Sequence, residues 1–292
     1  MFTRAFHIGL PLILCCLLAG CADPIPTDYV EELGLEGFII VGEPITNIRV
    51  YKTLPVTDTF TFDKAIIRNA QIELTANGTR IPVEYVADSL GGYYRASDTS
   101  LRAQSGVEYA ITVQALGKRI TGTTTPPPVF SYTVPPKDTM QYPGINNELV
   151  RFDSLDIFWQ AVPGVSQYVV AVECLDTLRY GAYLQPPTSD TNRRVREEDR
   201  VDDGTLVANE RTRFGFIQQP FVPVVWVAFK WFGKHTISVY AGDQAFVKWF
   251  RMVGFGRRSQ YDYRLASVQG GVGAWGSASV VRHSTFLLKD KP

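Results

Sequence analysis

Ala70-Gln71-Ile72-Glu73-Leu74-Thr75-Ala76-Asn77-Gly78-Thr79-Arg80-Ile81-Pro82-Val83-Glu84-Tyr85 decides the fold class. Ala70, Ile72, Leu74 and Ala76 alternate with polar residues, Asn77-Gly78 interrupts, and Ile81, Val83 and Tyr85 resume the alternation. Side chains that change face at every residue define a half-buried strand, and an Asn-Gly pair between two such runs supplies the positive φ angles of a tight hairpin turn. Outward from this hairpin the same texture continues. Tyr109, Ile111, Val113 and Ala115 share one face, a turn is expected at Gly117-Lys118, and a return strand runs through Ile120. With Phe38 to Val41 and Ile48 to Leu54 upstream, six or seven short strands occupy about ninety residues, the pattern of a β-sandwich.

Thr125-Pro126-Pro127-Pro128 and Val134-Pro135-Pro136 lack the N–H donors of a sheet ladder and favour extended polyproline geometry, so a linker is expected there. Beyond it Leu155, Ile157 and Trp159 alternate with Asp156 and Phe158. Pro163-Gly164 then turns the chain into Tyr168, Val170, Val172 and Cys174. A strand tryptophan, a Pro-Gly turn and a tyrosine opening the next strand resemble a fibronectin type III sandwich. The expected architecture is mainly β, with two β-sandwich domains: an immunoglobulin- or transthyretin-like one over 35–125, a proline-rich linker over 126–136, and a fibronectin III-like one with an added helix over 137–292. Asp243 is placed to cap that helix, in which Phe246, Trp249, Phe250 and Val253 recur at helical spacing as a packing stripe. Phe221 to Phe232, with Trp226, Phe229 and Trp231 among valines, reads as a strand buried on both faces.

The N-terminus carries a different signal. Arg4 precedes an apolar run from Ile8 to Leu18, and Leu18-Ala19-Gly20-Cys21 has the form of a lipobox, so residues 1–20 read as a lipoprotein signal peptide and Cys21 as the lipidated residue. Pro11 and the length of the run argue against a spanning helix. Residues 21–34 read as a polar tether that, fully extended, reaches roughly 40 Å. Removing residues 1–20 takes away only Arg4 of the 29 Lys and Arg, against 29 Asp and Glu. The remaining chain is nearly neutral, which gives no basic field for nucleic acid. Cys15 and Cys16 leave with the signal, so Cys174 would be the only free thiol, and its parity within the strand marks it as buried and inert.

Chemical motifs are sparse. Gly271-Val272-Gly273-Ala274-Trp275-Gly276 matches G-x-G-x-x-G, yet too little chain follows for a dinucleotide fold, and the glycines read as a loop needing positive φ or close backbone approach. Asp199, Asp202, Asp203 and Gly204 miss the spacing of a calcium loop and sit among arginines in a charged stretch over 186–210. Only His235 and His283 survive signal removal, and neither H-E-x-x-H nor G-x-S-x-G occurs. No catalytic residue, cofactor or metal is expected.

Cys21, Gly37-Phe38-Ile39-Ile40-Val41, Ala70-Gln71-Ile72-Glu73-Leu74, Gly91-Gly92-Tyr93-Tyr94, Gly106-Val107-Glu108-Tyr109 and Gly270-Gly271-Val272-Gly273-Ala274-Trp275-Gly276 occur in an order that resembles the Bacteroidetes outer-membrane lipoproteins of domain-of-unknown-function family 4249. The chain departs from that pattern in having Ala274-Trp275 where an aliphatic residue and phenylalanine are expected. The resemblance implies a protein anchored in the outer membrane that partners a TonB-dependent β-barrel transporter and has no known catalytic residues; only Asp23 of an acidic export cluster follows Cys21, and the outward face is expected from the barrel-partner role alone. Two alternatives are a free-standing adhesin or glycan-binding lipoprotein using Trp226, Trp231, Trp275 and Tyr261 to Tyr263 as a stacking platform, and an envelope hydrolase using His235 or His283.

Overall fold

The computed structural model describes residues 29–55, 57–59, 61–89, 91–141, 156–175, 181, 186–189, 212–223, 228–229, 231–255 and 267–288. Residues 1–28, with the expected signal and Cys21, lie outside them, as do 190–211 with the acidic loop, and Trp226 and Tyr261 to Tyr263. Glu32–Pro292 forms one compact unit. Its strands are β1 (Leu33–Ile40), β2 (Arg49–Lys52), β3 (Gln71–Ala76), β4 (Thr79–Ile81), β5 (Val83–Val86), β6 (Tyr93–Ala96), β7 (Tyr109–Ala115) and β8 (Lys118–Thr124). They continue as β9 (Tyr132–Val134), β10 (Thr139–Gln141), β11 (Ile157–Trp159), β12 (Tyr168–Cys174), β13 (Thr212–Ile217), β14 (Phe221–Val222), β15 (Gly233–Gly242) and β16 (Val272–Leu288). Two helices, Phe62–Ala65 and Gln244–Phe255, complete the described elements. The fold is mainly β.

A single large sheet organises the rest. Its order is β13-β12-β15-β16-β1-β2, with β10 also paired to β16. The 17 residues of β16 run parallel to β1 over Val272 to Ala278 and antiparallel to β15 over Ala278 to Leu287. Alternation along β1 explains why both of its faces are covered. Leu33, Leu35 and Ile39 enter one core with Leu74, Ile111, Val113 and Ile120 of the sheet β4-β3-β7-β8. Phe38 and Ile40 point the other way, toward the helix Gln244–Phe255. The far end of the large sheet repeats the arrangement: Tyr168, Val170, Ile237, Val239 and Leu287 pack with Ile157 and Trp159 of the small sheet β14-β11-β9. Two half-sandwiches therefore share one sheet, with a helix on its opposite face. Each fully buried leucine or isoleucine contributes about 1.5–3 kcal/mol, and among the described residues no Asp, Glu, Lys or Arg is buried.

Local chemistry accounts for the elements. Asn77 and Gly78 have φ of 46° and 80°, the two positive angles of the expected hairpin turn, and join β3 to β4. The next hairpin turns at Leu116-Gly117 (φ 54° and 69°), one residue earlier than expected, because Ala115 pairs directly with Lys118. Each half-sandwich also has a tyrosine at a strand entry whose hydroxyl accepts a hydrogen bond from backbone a few residues upstream. Tyr109 accepts from Gln104 N–H at 2.9 Å, and Tyr168 from Val162 N–H at 2.8 Å. Such corners recur in immunoglobulin-like sandwiches.

The structure redraws several expected boundaries. The tether ends earlier than residue 34, since Leu33 and Gly34 are already buried in β1. The stretch 126–136 contains β9 and is bonded to its surroundings: the Pro126 carbonyl accepts from Gly106 N–H at 3.0 Å, and the Pro127 carbonyl from the Ser105 hydroxyl at 3.0 Å. Nor do the sheets part there, because β1 from one side pairs with β16 from the other. Phe221 to Phe232 is not one strand. Among its described residues Phe221–Val222 is the one strand, while Phe229, Trp231 and Phe232 are buried beyond it. The helix lies where its cap and spacing place it. Asp243 Oδ1 accepts Phe246 N–H at 2.8 Å, and Phe246, Phe250 and Trp249 gather around Phe38, with ring centroids 5.5, 6.1 and 5.0 Å from it.

Candidate functional site

The glycine-rich segment opens β16: Gly271 sits in a bend, and from Val272 on the segment is strand and not loop. Its glycines are set by close backbone approach. Gly273 has φ +115°, and an added Cβ there would collide with the Leu35 carbonyl oxygen of β1. At Gly276 a Cβ would come within 2.8 Å of Phe246 N and 3.0 Å of Ala245 Cβ, so a side chain would push the helix off the sheet. Trp275 itself is 1% exposed and lies between two more glycines, Gly37 and Gly122, whose Cβ atoms would fall 2.7 and 2.9 Å from its ring and its own Cβ. Its Nε1 donates to the Tyr109 carbonyl at 3.1 Å. The segment is a plug for the first core.

Next to this plug, three distant residues converge. The Thr124 hydroxyl donates to Asp243 Oδ2 at 2.5 Å and lies 2.6 Å from Ser277 Oγ; Ser277 also donates its N–H to Asp243 Oδ2 at 3.0 Å. Both hydroxyl residues are buried. The cluster opens onto a recess of about 450 Å³ lined also by Glu108, Lys248 and Ser267. Asp243 uses Oδ1 on the helix cap and Oδ2 on two hydroxyl groups and a backbone N–H, so its acceptor positions are engaged, and the carboxylate acts as an organiser of the helix–sheet junction. Neither histidine lines this recess. Asp243 is legible in the sequence as a helix cap, whereas Thr124 and Ser277 carry no signal, being 119 and 34 residues from it.

The remaining sequence candidates are scattered. His235, 1% exposed on β15, has Nδ1 2.8 Å from the Gly233 carbonyl, which requires Nδ1–H to donate. Burial outweighs that bond and pushes its pKa down to about 4. His283 meets Asp138 at 2.9 Å, and the Asp138 side chain is almost fully exposed, so the pair is a surface contact and not a cleft. Cys174 is buried as expected, its sulfur 3.9 Å from the Phe232 carbonyl. Trp231 and Trp275, two members of the possible stacking platform, are both buried. Glu36 lies opposite Arg49 on β2 and beside Trp249; burial raises its pKa, against the pull of the Arg49 charge. Among the described residues no group of three or more His, Cys, Asp or Glu side chains could hold a metal ion. No described helix is long and apolar enough to cross a membrane.

Comparison with known proteins agrees with the order of motifs. The family model for a domain of unknown function, DUF4249, matches residues 23–240, well over half of the chain. No curated protein matches. Among solved structures, a three-domain immunoglobulin segment of titin carrying an E-to-A change is similar at 9% identity and a TM-score of 0.19, over 88% of this chain. This chain spans 64% of that titin chain.

Proposed function

The chain belongs to the DUF4249 family, and we propose that it is a lipid-anchored accessory protein of the outer membrane that binds without catalysing, its partner a TonB-dependent β-barrel transporter. The observation that carries this reading is Leu18-Ala19-Gly20-Cys21, followed by a short polar segment and then directly by a buried β-strand at Leu33. Two or three acyl chains on one sulfur hold a protein on a bilayer essentially permanently, while one is marginal. A tether of roughly 40 Å keeps the body at millimolar effective concentration next to a membrane partner, so modest affinity suffices.

Two features of the body favour binding over chemistry. The Asp243 carboxylate is engaged by its own neighbours, and His235 is held neutral inside the core. Burial of Trp231 and Trp275 speaks against a stacking platform built on them. Cys21→Ala should move the protein from the membrane pellet to the soluble fraction. Retention of that variant on membranes after a high-salt wash would overturn the anchor. With the anchor intact, gentle detergent extraction through a tag placed after Pro292 should recover a β-barrel protein in stoichiometric amount; recovery of the lipoprotein alone after crosslinking would overturn the partnership.

A further inference from the structure

We propose that the outer face of the small sheet β14-β11-β9 is where the protein partner docks, and that the partner meets it with an uncharged, apolar surface of its own. This rests on the binding reading above and names the surface which that reading leaves open. In β11, Ile157 and Trp159 are buried while Phe158 between them is 38% exposed. Its cross-strand neighbours carry the same face across the sheet. Val134 is 48% exposed, and Phe221 stacks on Phe158 with ring centroids 5.5 Å apart. A register shift between Phe158 and Trp159 lets Val134 face outward while Tyr132, two residues earlier, sends its hydroxyl inward to the Ile237 carbonyl at 3.1 Å. Val129, on the approach to β9, is 70% exposed. Apolar exposure aligned over three strands is not the usual scatter of single surface residues.

The chain composition singles out the same place. Residues 125–136, 157–167 and 218–223, which build this sheet and its flanks, contain no Asp, Glu, Lys or Arg, with Lys137 and Asp156 just beyond their ends, in a chain that is 20% charged. Their exposed polar groups are amides and hydroxyls, as in Gln160, Gln218, Gln219 and Thr133. Loss of charge around clustered aromatic residues is the composition of an interface centre. It also fixes the partner's chemistry, since a charge buried against a face with no counter-ion goes uncompensated. An anionic bilayer surface, gripped elsewhere by Lys and Arg, finds none here. The outer face of the other small sheet is the opposite: Glu73, Arg80, Thr112 and Gln114 line a shallow polar recess there.

The test uses the full chain in intact cells, with a photoreactive benzophenone side chain in place of Phe158 or, as control, in place of Thr112. The expected result is an adduct with a β-barrel protein from position 158 and none from 112, with recovery insensitive to salt because no ion pair holds it. Val134→Asp and Phe221→Asp, two exposed or half-exposed sites whose changes leave the cores intact, should each cut that recovery at least tenfold at an unchanged melting temperature, about the loss of one interface anchor. Four results overturn the proposal: an adduct from 112 but not 158, an adduct with lipid, an adduct with a second copy of this chain, or no adduct while the tagged chain still brings down a barrel. In each of these the barrel partnership itself survives if co-purification succeeds. Failure of both adduct and co-purification removes the proposed function and this surface together.

Discussion

The two half-sandwiches make an instructive pair. Each enters a central strand through a tyrosine corner, Tyr109 in one and Tyr168 in the other, and each sets a tryptophan beside that tyrosine. In the second half the tryptophan is local: Trp159 stands nine positions before Tyr168, with ring centroids 5.3 Å apart. In the first half it comes from the far end of the chain, for Trp275 reaches back 166 residues to bond the Tyr109 carbonyl. The same device has thus been filled once from nearby sequence and once by a strand that belongs to the shared sheet. The first half borrows the tryptophan of its core from β16, while the second keeps its tryptophan, corner and turn within one short segment.

The sharpest way to break this comparison is Gly273→Val. A side chain at φ +115° against the Leu35 carbonyl would force β1 from β16, and a loss of at least about 4 kcal/mol is expected, read as absence of a cooperative melting transition. Trp275→Ala comes next, costing about 3–5 kcal/mol in a chemical melt. Hydrogen exchange should show its damage concentrated in β3, β7 and β8, whereas Trp159→Ala should loosen β12 and β15; equal patterns from the two would mean the halves are not distinct cores. Asp243→Ala removes a helix cap and two hydroxyl partners, for an expected loss of about 1–2 kcal/mol.

The smallest effect separates the halves by pH. His235 belongs to the second half, and no histidine occurs between residues 33 and 124. Its folded pKa is pushed down to about 4, so the folded state binds fewer protons than the unfolded chain below about 6.5. Stability is therefore whole above pH 6.5 and declines as pH falls toward 4, by about 1 kcal/mol between 6.5 and 5.5. His235→Leu should flatten that slope. A slope that persists in the variant would assign acid sensitivity to other groups.

Local physics made much of this readable beforehand. Asn77-Gly78 announces its hairpin through the φ values it permits, and Asp243 with Phe246 and Phe250 announces the helix through one cap and one spacing. The turn at Leu116 was displaced because leucine at φ 54° runs against its own preference, which sequence favours assigning to the glycine that follows. What alternation cannot reveal is the neighbour. A period of two says that β1 and β16 have two covered faces, but not that they lie side by side, so Gly271 to Gly276 reads as a loop until the Leu35 backbone is seen against it. The Thr124, Asp243 and Ser277 cluster is hidden for the same reason.

The pairing of β1 with β16 also governs timing. A ribosome or a membrane pore that passes the chain from its first residue delivers β1 some 230 positions ahead of the strand it needs. Throughout that interval the leading half is an open template, with Gly37 and Gly122 facing an empty slot. Ending the chain before Val272 would therefore cost the beginning of the protein its structure as surely as the end.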